Sequence, residues 1–183
     1  MNTREHAVMK MRGSADTSYL GQTVDQMIWQ FMEEEHIPGL TLAIVQAPYI
    51  PRVVGYGMSD TGQRRLASPN TLWPAGPISQ AFAAVAAMQL FEDGKLELDA
   101  PAGKYVPELP ESWLAVTARQ LIRHAAGLPD YRKEKAFCPF RKWDFQELVG
   151  LVKDQKLSFE PGTQVEQSAT NFLVLTEIIE RTS

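Results

Sequence analysis

Hydrophobic positions along the chain change period several times, and each change marks an element. Val24, Met27, Ile28, Phe31 and Met32 recur at spacings of three and four, which places them on one face of an amphipathic helix beginning near Leu20 and stopping before His36-Ile37-Pro38-Gly39. Beyond that break, Leu40 to Val45 is an apolar run of strand length, and Arg52 to Gly57 reads as its hairpin partner across a loop holding Pro48 and Pro51. Ile78 to Phe91 is rich in helix formers, with Ala81, Ala83, Ala84, Ala86 and Ala87 small enough for close packing. This predicts a central, buried helix closed by Asp93-Gly94. Thr117 predicts the cap of a short helix through Arg123, and Asp144 the cap of another over about Phe145 to Lys153. A last helix over Asn171 to Arg181 places Phe172, Leu175, Ile178 and Ile179 on one face. Residues 1–16 show neither period and read as a flexible amino-terminal arm, leaving 17–183 as one domain of α+β class.

Composition narrows the function classes. The chain has 183 residues, 44% hydrophobic and 22% charged, which is enough for a packed core. A formal net charge of -4, with 18 Lys and Arg scattered along the chain, offers no nucleic-acid footprint. The longest apolar stretch, Ala81 to Phe91, is roughly half of what a membrane span requires. The first residues lack the apolar centre of a secretory signal, so the chain as written is expected to be cytoplasmic, or periplasmic or secreted if an export signal has been removed. Cys138 is alone and the three His residues are dispersed, so neither an internal disulfide nor metal-ligand spacing is present, and no cofactor is expected.

The order of the punctuation carries a resemblance. Ile37-Pro38-Gly39 before a strand, Leu90-Phe91-Glu92-Asp93-Gly94-Lys95-Leu96, then Lys104-Tyr105-Val106-Pro107 and Arg123-His124-Ala125-Ala126-Gly127-Leu128-Pro129, with Pro161-Gly162-Thr163 later, are similar to the penicillin-binding-protein and class C beta-lactamase superfamily of serine hydrolases. The resemblance runs from about residue 22 to 183 and implies a beta-lactamase/transpeptidase-like fold, present as its amino-terminal half. That half comprises the first helix, the β-hairpin and most of the helical subdomain, without the carboxyl-terminal strands of the sheet.

The same resemblance locates the chemistry and finds it replaced. The family's Ser-x-x-Lys motif places a nucleophile one helical turn before the amine that handles its proton. Here those positions hold Pro77 and Gln80. Proline suits a first helical turn but has no hydroxyl, and glutamine hydrogen-bonds without acting as a base near neutrality. The family's Tyr-x-Asn motif falls on Gln167-Ser168-Ala169, which loses both functional side chains, and its third motif would lie beyond residue 183.

Other candidates have plainer readings. Ser79 is expected to be a first-turn or capping residue turned about 200 degrees from the nucleophile position, with a displaced nucleophile as the alternative. Ser168 reads as a loop residue, and His124 as a structural loop residue away from the nucleophile. His36 complements the dipole of the first helix, and Glu33-Glu34-Glu35 is a solvated helix end. Trp73, Phe137, Phe140, Trp143 and Phe145 either line the old cleft or pack in the core. Three readings of function follow from the resemblance. The first is a catalytically inactive member serving in binding or assembly. The second is an active hydrolase of esters, peptides or beta-lactams using Ser79 or residues supplied by a partner. The third is a truncated gene product without a function. The unfinished sheet implies self-association or a second polypeptide that completes it, and the vestigial cleft implies a small-molecule or peptide ligand.

Overall fold

The computed structural model describes residues 9–11, 18–19, 22–45 and 51–183. Elements in chain order are β1 (Met9–Met11), β2 (Ser18–Tyr19), β3 (Gln22–Thr23), α1 (Val24–Glu34), β4 (Gly39–Val45), β5 (Pro51–Asp60), β6 (Arg65–Leu66), α2 (Ser79–Glu92), α3 (Ala118–Ile122), α4 (Phe145–Gly150) and α5 (Ala169–Thr182). The chain divides into two compact units, residues 1–74 and 75–183. No helix among the described residues is long and apolar enough to cross a membrane.

The first unit is an antiparallel sheet with one helix. Strand β4 pairs with β5 in the register Leu40 to Tyr56, Leu42 to Val54 and Ile44 to Arg52, as the hairpin reading anticipates. Alternation along β5 turns Val54 and Tyr56 inward, where they pack with Met32 of α1 and with half-buried Ile28, Trp29 and Leu40. Helix α1 starts at a reciprocal capping box between Thr23 and Gln26. A buried polar cluster fastens α1 to the sheet: Asp25 accepts from the Arg52 guanidinium and, at 2.6 Å, from the Tyr56 hydroxyl. Burial, reinforced by the Asp25 carboxylate, drives the Tyr56 pKa well above its usual range.

Within residues 1–16, expected to form an arm, Met9–Met11 pairs with Val53 to Gly55 as β1 on the second edge of β5, which satisfies backbone groups of both strands. The rest of the arm, together with Leu20 and Pro48, lies outside the described residues. Among the described residues the outer edge of β4 has no partner strand.

The second unit is helical and built around α5. Val174, Leu175 and Ile178 are fully buried there, against Ala87 and Leu90 of α2, Ala118 and Leu121 of α3, and the connecting segment that contributes Leu96, Val106, Trp113 and Val116. Thr117 and Asp144 are the caps that their positions predict, each in a capping box with Gln120 and Glu147. Helix α4 ends at Gly150, earlier than Lys153, and passes into turns. Arg181 ties the end of α5 to Glu108 and Glu177. The expected burial of α2 needs correction. Only Ala87 and Leu90 are buried, while Ile78 and Phe82 are 68% and 73% exposed and Val85 is open as well. The helix is apolar all round, the composition of a core helix, but one side alone meets the core of this unit.

Two backbone loops close against each other below α5. Ser158 N–H donates to Gly127 O at 2.8 Å, Gly162 N–H to Ala125 O at 2.8 Å, and Glu166 N–H to His124 O at 3.0 Å. Gly127 has φ +71°, and a Cβ there would stand 2.2 Å from Phe159 O, whereas at Gly94, also φ +71°, nothing stands within 4 Å. Gly94→Ala is therefore expected to cost about 1 kcal/mol from backbone strain alone, and Gly127→Ala at least ~2 kcal/mol more from the steric conflict. Urea unfolding midpoints of the two variants check the difference.

Candidate functional site

The start of α2 is shaped by Pro77. A 3-10 turn over Gly76–Ile78 takes proline at its first helical positions, where the missing N–H has no partner to lose. Ser79 N–H donates back to Gly76 O and Pro77 O, carrying the turn into α2. Pro77 thus opens the helix without the loss of a backbone hydrogen bond. Gln80, the next residue inward, is half-buried and sits with its Oε1 3.2 Å from His124 Nε2.

His124, read as a structural loop residue away from the nucleophile position, meets Gln80, one helical turn beyond Pro77. Its backbone adopts φ 52°, a left-handed conformation that costs a non-glycine residue about 1 kcal/mol or more. The conformation is held on both sides, with His124 N–H donating to Leu121 O at 3.1 Å and His124 O accepting from Glu166 N–H. The ring is held too. Ser168 N–H donates to Nδ1 at 3.4 Å and the Asn171 side-chain amide donates to the same atom at 3.1 Å. A backbone N–H can only donate, so Nδ1 is the acceptor and the ring proton resides on Nε2, which donates to Gln80 Oε1. Both ring nitrogens are engaged and no lone pair is left to take a proton. Burial, and then the charge of Arg132, push the His124 pKa below its ordinary 6.5.

The second motif region is placed beside the first. Gln167 is exposed. Ser168, expected in a loop, is buried and is the N-cap of α5, with its Oγ accepting from Thr170 N–H at 3.2 Å. Ala169 opens α5 and borders a cavity of ≈ 370 Å³ that Pro77, Gln80, Tyr131, Arg132 and Phe172 also line. Four motif positions are therefore local to one another, and three of them, Pro77, Gln80 and Ala169, share the cavity wall. Ser79 is exposed, makes no side-chain hydrogen bond among the described residues, and is not part of that wall. Among the described residues no group of three His, Cys, Asp or Glu is arranged to hold a metal ion.

Of the aromatic residues read as either lining the cleft or packing in the core, none is among the residues that line this cavity. Trp73 donates to Thr41 Oγ1 within the first unit, Phe145 packs on the helical core, and Phe140 is 97% exposed. Phe137 and Trp143 form a ladder that begins at Tyr131, with ring separations of 5.2 and 6.1 Å. Tyr131, Arg132 and Phe172 are the lining residues that sequence reasoning missed. Tyr131 and Arg132 follow the Gly-Leu-Pro turn directly, and that adjacency is the one local signal for them.

Comparison with known proteins agrees with this geometry. A family model described as Beta-lactamase matches residues 24–183. Protein flp of Staphylococcus aureus (strain N315) is 25% identical over 163 residues, covering 87% of this chain and 33% of its own length. The serine beta-lactamase-like protein LACTB, mitochondrial, of Bos taurus is 30% identical over 126 residues, 64% of this chain and 23% of that protein. A solved class C beta-lactamase in complex with cefoxitin superimposes with a TM-score of 0.67 at 28% identity, covering 87% of this chain and 43% of that one. The D-amino acid amidase of Ochrobactrum anthropi SV3 shares the fold, with a TM-score of 0.69 at 24% identity over 84% of this chain and 43% of that chain. The chain spans about a third of the length of the first of these curated relatives.

The state of His124 sets a pH dependence. Its folded pKa lies below the unfolded value near 6.5, so above that pH the native state carries no penalty, and as pH falls the unfolded chain binds the proton first. Stability is expected to decline as pH drops from about 6.5 through the lower folded pKa. His124→Asn, which tolerates the left-handed backbone and does not titrate, should remove that component. Denaturant midpoints of both proteins between pH 7.5 and 5, read as a difference, check it.

Proposed function

The chain belongs to the beta-lactamase family, and we propose that it is a member without acyl-transfer activity, whose site serves binding and whose surfaces serve assembly. The observation that carries this reading is the pairing of Gln80 with His124 beside Pro77. At the position where the family needs an amine next to a hydroxyl, a neutral amide is committed as an acceptor to a protonated ring nitrogen. Neither member can deprotonate a nucleophile, and Pro77 provides none. Ala169 and the exposed Gln167 remove the phenol and amide of the second motif from the same wall. Loss of the nucleophile from a cooperative serine-hydrolase site alone lowers turnover on the order of a million-fold.

Assembly is supported in each unit separately. Strand β4 offers an unpaired edge among the described residues, the feature through which a further strand adds. The outer side of α2, with Ile78, Phe82 and Val85, is an apolar surface of the kind that folded chains cover. A second copy or a separate polypeptide that supplies strands fits these features, and a small molecule or peptide fits the cavity.

Covalent labelling tests the reading. Incubation with a fluorophosphonate and with a fluorescent penicillin, followed by peptide mass mapping, is expected to give no adduct, and Ser79→Ala should leave the result unchanged. A stoichiometric adduct on Ser79 or Ser168 would restore an enzyme with a relocated nucleophile and end the proposal.

A further inference from the structure

Within a chain whose formal net charge is -4, residues 131–143 hold five cations, Arg132, Lys133, Lys135, Arg141 and Lys142, against the single acid Glu134. Three of the five have acidic partners: Arg132 lies 3.8 Å from Asp130, Lys133 lies 2.9 Å from Glu166, and Arg141 pairs with Glu147. Glu134 is itself engaged, accepting from the Gln155 side-chain amide at 2.8 Å, and Asp144 is spent on the capping box of α4. Lys135 and Lys142 are exposed and make no ion pair among the described residues. Between these two lysines in the chain stands Phe140, 97% exposed. The turn that carries it is nevertheless fixed. Phe137 stacks on Trp143 with ring centroids 6.1 Å apart, and the Arg141 guanidinium lies 4.1 Å from the Trp143 centroid. Trp143 Nε1–H and Arg141 N–H both donate to Cys138 O, at 2.8 and 3.3 Å, and Pro139 removes one more backbone freedom beside Phe140.

An aromatic tip displayed from an ordered turn, with unpaired lysines on either side in sequence and a tryptophan at its base, suits a bilayer surface of anionic lipid. A Phe ring enters the acyl boundary, a Trp favours headgroup depth, and a lysine near the surface is drawn by the negative lipid potential. A protein partner fits less well, because a stable interface takes about 800 Å² from each side and this turn offers one fully exposed apolar side chain rather than a patch. The outer side of α2 is the reverse case, since it is apolar over several residues and the helix contains no Lys or Arg. We propose that the turn over residues 135–142 is a peripheral membrane-binding loop, with Phe140 among the lipid chains and Lys135 and Lys142 on anionic headgroups. It stands whether or not the site at the start of α2 turns over a substrate.

The test is co-sedimentation of the full chain with vesicles of phosphatidylcholine, with and without about 40% phosphatidylserine, at low salt and at about 0.5 M NaCl. Binding to the anionic vesicles is expected, about tenfold weaker on neutral lipid or at the higher salt. Phe140→Ser should weaken it about tenfold, and Lys135→Gln with Lys142→Gln by a similar factor, whereas Phe82→Ser on α2 should leave it unchanged. Phe140→Trp should bind like the native chain and add a blue-shifted emission that brominated lipid chains quench. All four positions are exposed, so unchanged unfolding midpoints confirm that the variants fold. No binding at millimolar lipid, equal binding to neutral and anionic vesicles, or full binding by Phe140→Ser overturns the proposal. So does loss of binding in Phe82→Ser, which would move the lipid contact to α2, or an unquenched Phe140→Trp. Binding of poly-glutamate that Phe140→Ser abolishes, with no vesicle binding, would assign the turn to an acidic protein partner and overturn it as well.

Discussion

The helical unit depends on one residue in an unfavourable conformation. His124 stands at φ 52° because its neighbours over-determine it, through Leu121 O and Glu166 N–H on the backbone and Ser168 N–H, Asn171 and Gln80 on the ring. Those contacts join three segments remote in sequence: the start of α2, the turn after α3, and the approach to α5. Take the imidazole away and the backbone hydrogen bonds between the two loops remain, but nothing ties Gln80 to the start of α5. The placement of the motif positions is therefore a property of this hub rather than of the motif residues. Pro77, Gln80 and Ala169 stand together on one cavity wall.

Gln80 and Pro77 fit their surroundings. The Gln80 amide oxygen lies 3.2 Å from His124 Nε2 and accepts its proton. Proline at the first turn restricts the unfolded chain and loses no hydrogen bond.

Local signals in the sequence were read correctly where the physics is local. The capping boxes at Thr117 and Asp144 and the Pro38-Gly39 break each involve groups within four residues, and the β-hairpin joins neighbouring strands, so these were legible without tertiary information. The family's ordered turns extended that reading to the fold of residues 24–183. What escaped depends on distant partners. His124 meets Gln80 across 44 residues, and Met9–Met11 reaches β5 from a segment without period. The exposure of α2 was misjudged because an apolar helix announces the cover it requires, not the cover it has. Ser168 was missed as a cap because the helix it starts was placed two residues too late.

The two units rest on different balances of forces. The helical unit buries Trp113, Leu121, Leu175 and Ile178 among many other side chains, an amount of apolar surface on which a small domain can stand. Among the described residues of the sheet unit, Met32, Val54 and Tyr56 form one buried apolar cluster, and Ala67 is buried as well. This unit adds the Asp25, Arg52 and Tyr56 cluster, in which Arg52 Nη1 is buried without a hydrogen-bond partner among the described residues. A buried ion pair recovers little more than its own desolvation, and an unpaired donor subtracts from that. Among the described residues the β4 edge of this unit is open. Any strand added there would extend the hydrogen-bonded ladder and bury apolar surface. Stability and assembly would then be one property of the sheet, and ligand binding a separate property of the helical unit.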